Sequence, residues 1–233
     1  MNKRDSQFWI INCNRIVKEG CKMSEGSEKR NTKRKFTYDN WITVIFLSLL
    51  AITLIFNMVF QNGSKIFRII LTAAAVLIMK TLFTVTFLKK SKASYTASLL
   101  FIFMAMYLGN VFNFYSLIIC YDKILHFLSG IIIGVIGLII YAHFTKEYMK
   151  KLSPKFLLVF IFIFCVALAG CWEIWEFTGD RLFGFTSQNN SLIDTMMDII
   201  CGTVGGIVSL FPIYRFANGK SNRFLQKVTE EVM

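Results

Sequence analysis

The sequence predicts an all-α polytopic membrane protein, a bundle of six transmembrane helices with both termini on the cytoplasmic side. The 233 residues are 55% apolar and include 24 Phe but only 2 Pro. The apolar residues gather in six long runs, each close to the roughly 20 residues that cross a hydrocarbon core. Backbone groups in lipid must bond within their own segment, so these runs are predicted to be helices and not open strands.

Short connections separate most of the predicted spans, which is typical of antiparallel neighbours in a bundle. The approximate bounds of the spans are 41–60, 66–88, 94–118, 124–142, 156–177 and 193–214. Together they form a membrane domain over 41–215, between a basic tail over 1–40 and a second tail over 216–233. No stretch outside the spans is long enough for a separate soluble domain.

Basic residues predict the orientation of the bundle. The basic tail, the connections 89–95 and 143–155, and the stretch from Arg215 to the end carry 21 of the 26 Lys and Arg. The opposite side carries only four, and Lys80 lies within the second span. Because Lys and Arg are enriched in cytoplasmic loops, both tails are predicted to be cytoplasmic. The connections predicted to face outward are 61–65, 119–123 and 178–192.

Most of the net charge of +12 lies on the predicted cytoplasmic side, where it would be attracted to an anionic inner leaflet. Nucleic-acid binding is the alternative for KRNTKRK (29–35), but no folded reading module accompanies that stretch. Membrane lipids are therefore the expected partners and nucleic acid is not, while the oligomeric state is left open. Residues 1–22 are either a mis-assigned upstream start or a short interfacial helix. No cleavable signal peptide is expected, because the charged lead is long and lacks a small-residue cleavage site.

Six of the 14 acidic residues fall on the predicted outer ends of the last three spans. They lie at about the same predicted depth, because the fourth and sixth spans begin on the outer side and the fifth ends there. Neighbours within one span are three or four residues apart, as are Asp122 and His126, so each set shares one side of its helix. Charge in the membrane interior is costly, so we expect these side chains to face one shared cavity. The six residues are Asp122, Glu173, Glu176, Asp180, Asp194 and Asp198.

The negative charge of these crowded carboxylates must be offset by other groups. Lys123 and Arg181 can pair with one or two of them, and the others are either protonated or gathered around a divalent cation. Oxygen-rich sets with at most one imidazole suit Mg, Mn or Ca better than Zn. His126 is the only histidine on the predicted outer side, which excludes a three-His zinc site. The predicted metal ligands are Asp122, Glu173, Glu176, Asp194 and Asp198.

Catalytic and structural interpretations of these residues both remain open. The candidate acid–base groups are Glu173, Glu176 and His126. Asp122 and Asp194 stand at predicted helix starts, where a carboxylate caps free N–H groups, and a lone His is commonly a hydrogen-bonded core residue. Glu173 and Glu176 lie near a helix end that disfavours negative charge, so capping does not explain them. The candidate substrate-binding or cavity-lining residues are Asp180, Arg181, Asn110 and Asn113.

Small residues recur on the fourth and sixth spans. Gly130-x-x-x-Gly134 and Gly202-x-x-x-Gly206 are spacings that let membrane helices approach closely. The alternative is that Gly is simply common in membrane helices.

Three stretches resemble the YjdF-like family of small bacterial inner-membrane proteins: YDKILHFLSG (121–130), WEIWEF (172–177) and SQNNSLIDTMMDIICGTVGG (187–206). The resemblance covers about 95–215 and implies a multi-pass protein of the bacterial cytoplasmic membrane, with no settled activity. It adds Gln188 to the candidate cavity-lining residues, because the family pattern places a Gln before the Asp-x-x-x-Asp of the last span. Asn189-Asn190 depart from the family's more usual Gly and Asp. Asp-Lys-x-x-x-His at 122–126 is also weakly similar to VanZ-like proteins.

Three functions stay open at this point, and with them the question whether the protein is an enzyme. The first is a metal-assisted hydrolase or transferase acting on a lipid or lipid-linked substrate, in which a carboxylate or His126 activates water. The second is a non-catalytic accessory or sensing protein whose polar network is structural. The third, a cation or proton carrier, is disfavoured because no acidic residues continue toward the cytoplasmic side.

Overall fold

The computed structural model describes residues 37–145 and 153–232. Within these ranges the chain is helical and contains no strand. The prediction for the basic tail lies outside the described residues except for 37–40. Most of the connection between the fourth and fifth spans lies outside them as well.

Within the described ranges, six helices are long and apolar enough to cross a membrane, which confirms the predicted all-α class and the number of spans. A seventh helix, α7 (Arg223–Glu230), follows them. Short helical turns over Phe87–Lys90 and Phe114–Leu117 lie before and after the third span. The six long helices are α1 (Tyr38–Phe60), α2 (Ile66–Val85), α3 (Lys92–Val111), α4 (Tyr121–Thr145), α5 (Pro154–Phe183) and α6 (Leu192–Ala217).

Local residues fix the two ends of α5. The hydroxyl of Ser153 accepts a hydrogen bond from the backbone nitrogen of Lys155 at 3.1 Å, and Pro154 occupies the first turn, where a missing N–H is tolerated. The helix ends where Gly184 adopts a left-handed conformation, with φ 67°. α5 therefore continues past its predicted end at 177.

The third span ends earlier than the sequence predicts. α3 is α-helical as far as Ile102 and then continues as a π-helix over Phe103–Val111, although the apolar run extends to 118. The chain turns away where Asn113 adopts a left-handed conformation with φ 62°, which Asn tolerates better than most residues. Long π-helices are rare. Here the hydroxyl of Tyr121 donates to the carbonyl of Met104 in the widened segment, at 2.8 Å.

The described chain divides into two compact units at residues 129–130, inside the unbroken helix α4. In the first unit, polar side chains join the helices at both ends. Lys80 donates to Asp39 at 3.0 Å and to Asn40 at 2.6 Å. At the other end, Lys65 donates to the carbonyl of Val111 at 2.7 Å, so a cation faces the negative end of the α3 dipole.

The second unit contains the rest of α4 together with α5, α6 and α7. Leu157, early in α5, shares a buried cluster with Ile213 and Ala217, late in α6. These two helices are therefore antiparallel neighbours, joined by the short connection 184–191. The full cluster comprises Leu138, Tyr141, Leu157, Ile161, Cys165, Ile213, Ala217 and Leu225.

Glycines bring the helices of the second unit into backbone contact. A Cβ added to Gly130 of α4 would overlap the carbonyl oxygen of Gly202 on α6 and lie 2.7 Å from the nitrogen of Gly206. A Cβ added to Gly206 would lie 2.6 Å from the Cβ of Cys165 on α5. The close packing predicted from the glycine spacing is therefore confirmed.

The final tail folds back onto the other helices of the second unit. Asn222 caps α7 by accepting hydrogen bonds from two backbone nitrogens, both at 3.1 Å. Leu225, Val228 and Thr229 are buried, and Leu225 joins the core cluster. Their spacing of three and four residues gives α7 one apolar side, which the core covers.

Candidate functional site

Glu173 continues the buried side of α5. Leu157, Ile161, Cys165, Ala169 and Glu173 follow one another at intervals of four residues, and all five are buried. Residues four apart share one side of a helix. The geometry that buries the apolar core of α5 therefore buries Glu173 as well, leaving it only 4% exposed.

The loop after α5 folds over Glu173. Gln188 Nε2 donates to Glu173 Oε2 at 3.2 Å and to the Glu173 carbonyl oxygen at 3.1 Å. The loop itself is held by Asp180, whose carboxylate accepts from the backbone nitrogens of Ser187 at 2.8 Å and Gln188 at 3.0 Å. Hydrogen bonds to a carboxylate are stronger than neutral ones. Asp180 therefore fixes the loop, and the loop fixes Gln188 against Glu173.

Asp198 is the first buried residue of α6. It is 2% exposed and lies one turn before Gly202, on the side that packs against α4. The start of α6 lies one turn earlier, where the Ser191 hydroxyl accepts from the backbone nitrogen of Asp194 at 3.2 Å. The side chain of Asp194 accepts from Asn189 Nδ2 at 3.0 Å. Asp194 therefore belongs to the capped start of the helix, and Asp198 lies in its interior.

Asp122 and His126 share one side of α4, as their spacing predicts. Asp122 Oδ1 lies 3.6 Å from His126 Nε2. The other carboxylate oxygen of Asp122 lies 3.2 Å from Lys123 Nζ. His126 is buried, whereas Asp122 is partly exposed. Lys123 thus offsets part of the negative charge of the predicted acidic residues.

Three of the predicted site residues offer ligand atoms that could hold a metal ion: Asp122 and His126 on one side of α4, and Asp198 on α6. Within the described ranges, the other predicted ligands do not belong to this set.

Glu173 lies level with Asp198 on the neighbouring helix. Cys165 of α5 contacts Gly206 of α6. Because these helices are antiparallel, Glu173 and Asp198 each stand eight residues beyond that contact, about 12 Å further toward the connecting loop at 1.5 Å per residue. The buried sides of two adjacent helices thus end in a carboxylate at the same level.

Glu176 and Arg181 take part in local contacts of α5. Glu176 Oε1 accepts from Trp172 Nε1 at 2.9 Å, and Glu176 is half-buried. The Arg181 guanidinium lies over the ring of Phe177, 5.3 Å from its centroid. Glu176 is therefore less buried than Glu173, and its carboxylate contacts a side chain of its own helix.

Asn110 and Asn113 lie at the end of α3 and are exposed. Arg68 donates to the carbonyl oxygen of Asn110 at 2.9 Å and to the side-chain oxygen of Asn113 at 2.7 Å. Both therefore contribute to closing the π-helix.

The contacts of Ser191 and Asn189 at the start of α6 are not among the predicted site contacts, although Ser followed three residues later by an acid is a known helix-start pattern.

Residues 41–219 match the family described as "Predicted membrane protein (DUF2238)". An uncharacterized protein of Thermotoga maritima is 31% identical over 122 residues, and the match covers 51% of this chain and 60% of that relative. No solved structure matches the chain. The family match includes all three stretches that resemble YjdF-like proteins, and the two assignments are consistent. The chain therefore belongs to the predicted membrane protein family DUF2238.

Proposed function

We propose that this protein binds a divalent cation through Asp122, His126 and Asp198, at the end of the bundle predicted to face outward. The strongest support is the pair on α4, where Asp122 Oδ1 lies 3.6 Å from His126 Nε2, together with the buried carboxylate of Asp198 on α6. Two ligands that each lie about 2.1 Å from one ion are about 3.0–4.2 Å apart, so the spacing of Asp122 and His126 suits a shared ion. A bound cation would also offset the charge of carboxylates that the membrane interior penalises.

Two carboxylates and one imidazole favour Mn²⁺ among the three expected ions. Mg²⁺ and Ca²⁺ are bound mainly by oxygen, whereas imidazole suits transition metals. Mn²⁺ accepts carboxylate and water ligands and is also a first-row transition metal. A cation held by Asp122, His126 and Asp198 would have coordination positions left for water or a substrate oxygen.

The finer proposal is metal-assisted hydrolysis or group transfer on a lipid head group or a lipid-linked substrate. A bound cation would supply Lewis-acid chemistry there, polarising the substrate and lowering the pKa of a bound water. Glu173 is the carboxylate best situated to accept the proton from that water, because it is buried, level with Asp198 and oriented by Gln188. Glu176 is given no role in this proposal, since its carboxylate accepts a hydrogen bond from Trp172.

A structural polar network is the competing proposal, and Lys123 is the observation that favours it. Its ammonium group lies 3.2 Å from Asp122 and already offsets one carboxylate. In that case the three residues would stabilise α4 and α6 without an ion. Substitutions would then change stability but would not change any response to metal.

The metal content of the full-length protein, purified in detergent without chelator, tests the proposal. We expect a stoichiometric divalent ion in the unsubstituted protein and its loss in Asp198→Asn, which keeps the size of the side chain but removes its charge. Glu176→Gln is the matched control and should retain the ion. Absence of any stoichiometric ion, even after incubation with Mn²⁺ and desalting, would favour the structural network.

A further inference from the structure

A basic cavity lies at the end of α6, far from Asp198. It encloses about 260 Å³ where the chain leaves α6 and turns toward α7. None of its residues belongs to the proposed cation site. Arg215, Lys220, Ser221 and Asn222 form its polar side, and Phe211 and Phe216 form its apolar side.

The two cations of this cavity are available to an anion. Among the described residues, no carboxylate forms an ion pair with Arg215 or Lys220. The Arg215 guanidinium lies over the ring of Phe211, 5.5 Å from its centroid, which orients it along the cavity wall. The backbone nitrogen of Lys220 donates to the carbonyl of Arg215 at 2.9 Å, so the turn brings Lys220 back beside Arg215.

The turn that closes the cavity depends on one residue with special backbone geometry. Gly219 adopts φ 84°, in the left-handed region that glycine reaches without strain. This conformation reverses the chain between Arg215 and Lys220. The exposed Ser221 adds a hydroxyl donor at the same rim.

The apolar side of the cavity belongs to the last span. Phe211 is 66% exposed and lies one turn before Arg215. A ligand that contacts both residues needs an anionic group beside an apolar chain. The cavity also lies at the end of α6 that is predicted to face the cytoplasm, where anionic lipids are concentrated.

We propose that this cavity binds the phosphate group of an anionic phospholipid. The planar guanidinium of Arg215 can contact two phosphate oxygens at once, and Lys220 supplies a second positive charge. The lipid's glycerol and acyl chains would lie along Phe211 and Phe216. Free phosphate carries the same anionic chemistry but has no apolar part.

Thermal unfolding of the full-length protein in neutral detergent separates these ligands. The midpoint is measured during titration with phosphatidylglycerol, phosphatidylcholine or inorganic phosphate. We expect a saturable rise with phosphatidylglycerol only. Arg215→Gln combined with Lys220→Gln should raise the half-saturating concentration at least about tenfold, because two charge-assisted contacts are lost.

Lys89→Gln combined with Lys90→Gln is the matched control. Both lysines are exposed, lie on the same predicted side and carry the same total charge, so this variant should respond like the unsubstituted protein. An equal response of the Arg215/Lys220 variant would overturn the site. Saturation by inorganic phosphate, with no further effect of phosphatidylglycerol, would overturn the lipid as ligand.

A second measurement applies if the double variant fails to fold. Lys220 lies beyond the end of α6, and Lys220→Gln alone leaves the helix intact. Native mass spectrometry of this variant should show loss of co-purified phosphatidylglycerol. Retention equal to that of the unsubstituted protein would contradict the proposal.

Discussion

The side-chain amide of Gln188 donates a hydrogen bond to the buried carboxylate of Glu173 over 3.2 Å. This bond joins the loop after α5 to the last residue of that helix's buried side. Asp180 holds the backbone nitrogen of Gln188 at 3.0 Å. The position of Glu173 therefore depends on the fold of the loop as well as on the helix.

Gln188→Ala should destabilise the protein by about 1–3 kcal/mol, because a buried carboxylate loses a hydrogen-bond donor. Denaturant unfolding in detergent measures the difference. Thr186→Ala, at an exposed position of the same loop, is the control and should change stability little. If the two variants unfold alike, Gln188 does not support Glu173.

Gly130→Ala should destabilise the protein by about 1–3 kcal/mol or more, because the added methyl group meets the backbone of Gly202, which cannot rotate away. Gly170→Ala is the matched control. No heavy atom lies within 4 Å of a Cβ at that position, so alanine should be neutral or stabilise helix α5 by up to about 1 kcal/mol. Equal unfolding of the two variants would contradict the close contact between α4 and α6.

The spans and the glycine contact could be predicted from the sequence because both depend on local composition and spacing. The sequence could not show which of Glu173 and Glu176 is the buried carboxylate. Residues three apart differ by about 60° around a helix axis, which is close enough to suggest one shared side. Glu173 is nevertheless buried and bonded to Gln188 of the loop, whereas Glu176 is half-buried and bonds to Trp172, so the difference depends on the loop as well as on the spacing.

The end of α3 and the fold of the final tail depend on tertiary contacts. The apolar run around 118 resembles a continuing span, but the chain turns at Asn113 and contacts from Lys65 and Arg68 hold that end of α3. In the final tail, Leu225, Val228 and Val232 recur at spacings of three and four residues, which is a helical signal in a short window. Whether such a short helix forms depends on the core that covers it.

Leu225→Ala should destabilise the protein by about 2–5 kcal/mol, because it removes a buried side chain from the core cluster. Phe224→Ala removes a larger side chain from a position that is 49% exposed and should cost much less. Thermal unfolding in detergent compares the two variants. A smaller effect at Leu225 than at Phe224 would show that α7 does not pack as described.

The predicted orientation can be tested by labelling single cysteines in intact cells. Ser187→Cys and Lys89→Cys lie at exposed positions in connections predicted to face opposite sides. In a chain whose natural cysteines are replaced by alanine, a membrane-impermeant thiol reagent should label position 187 and not position 89. The opposite pattern would place the proposed cation site on the cytoplasmic side.

Pulsed electron paramagnetic resonance of the protein with Mn²⁺ tests the proposed cation site most directly. A nitrogen coupling from the ring of His126 should appear on bound Mn²⁺ in the unsubstituted protein. It should vanish in His126→Gln and persist in Glu176→Gln. It should also persist in His143→Gln, which lies in the last turn of the same helix. Saturable Mn²⁺ binding without any nitrogen coupling, or no saturable binding at all, would contradict the assignment of Asp122, His126 and Asp198 as ligands.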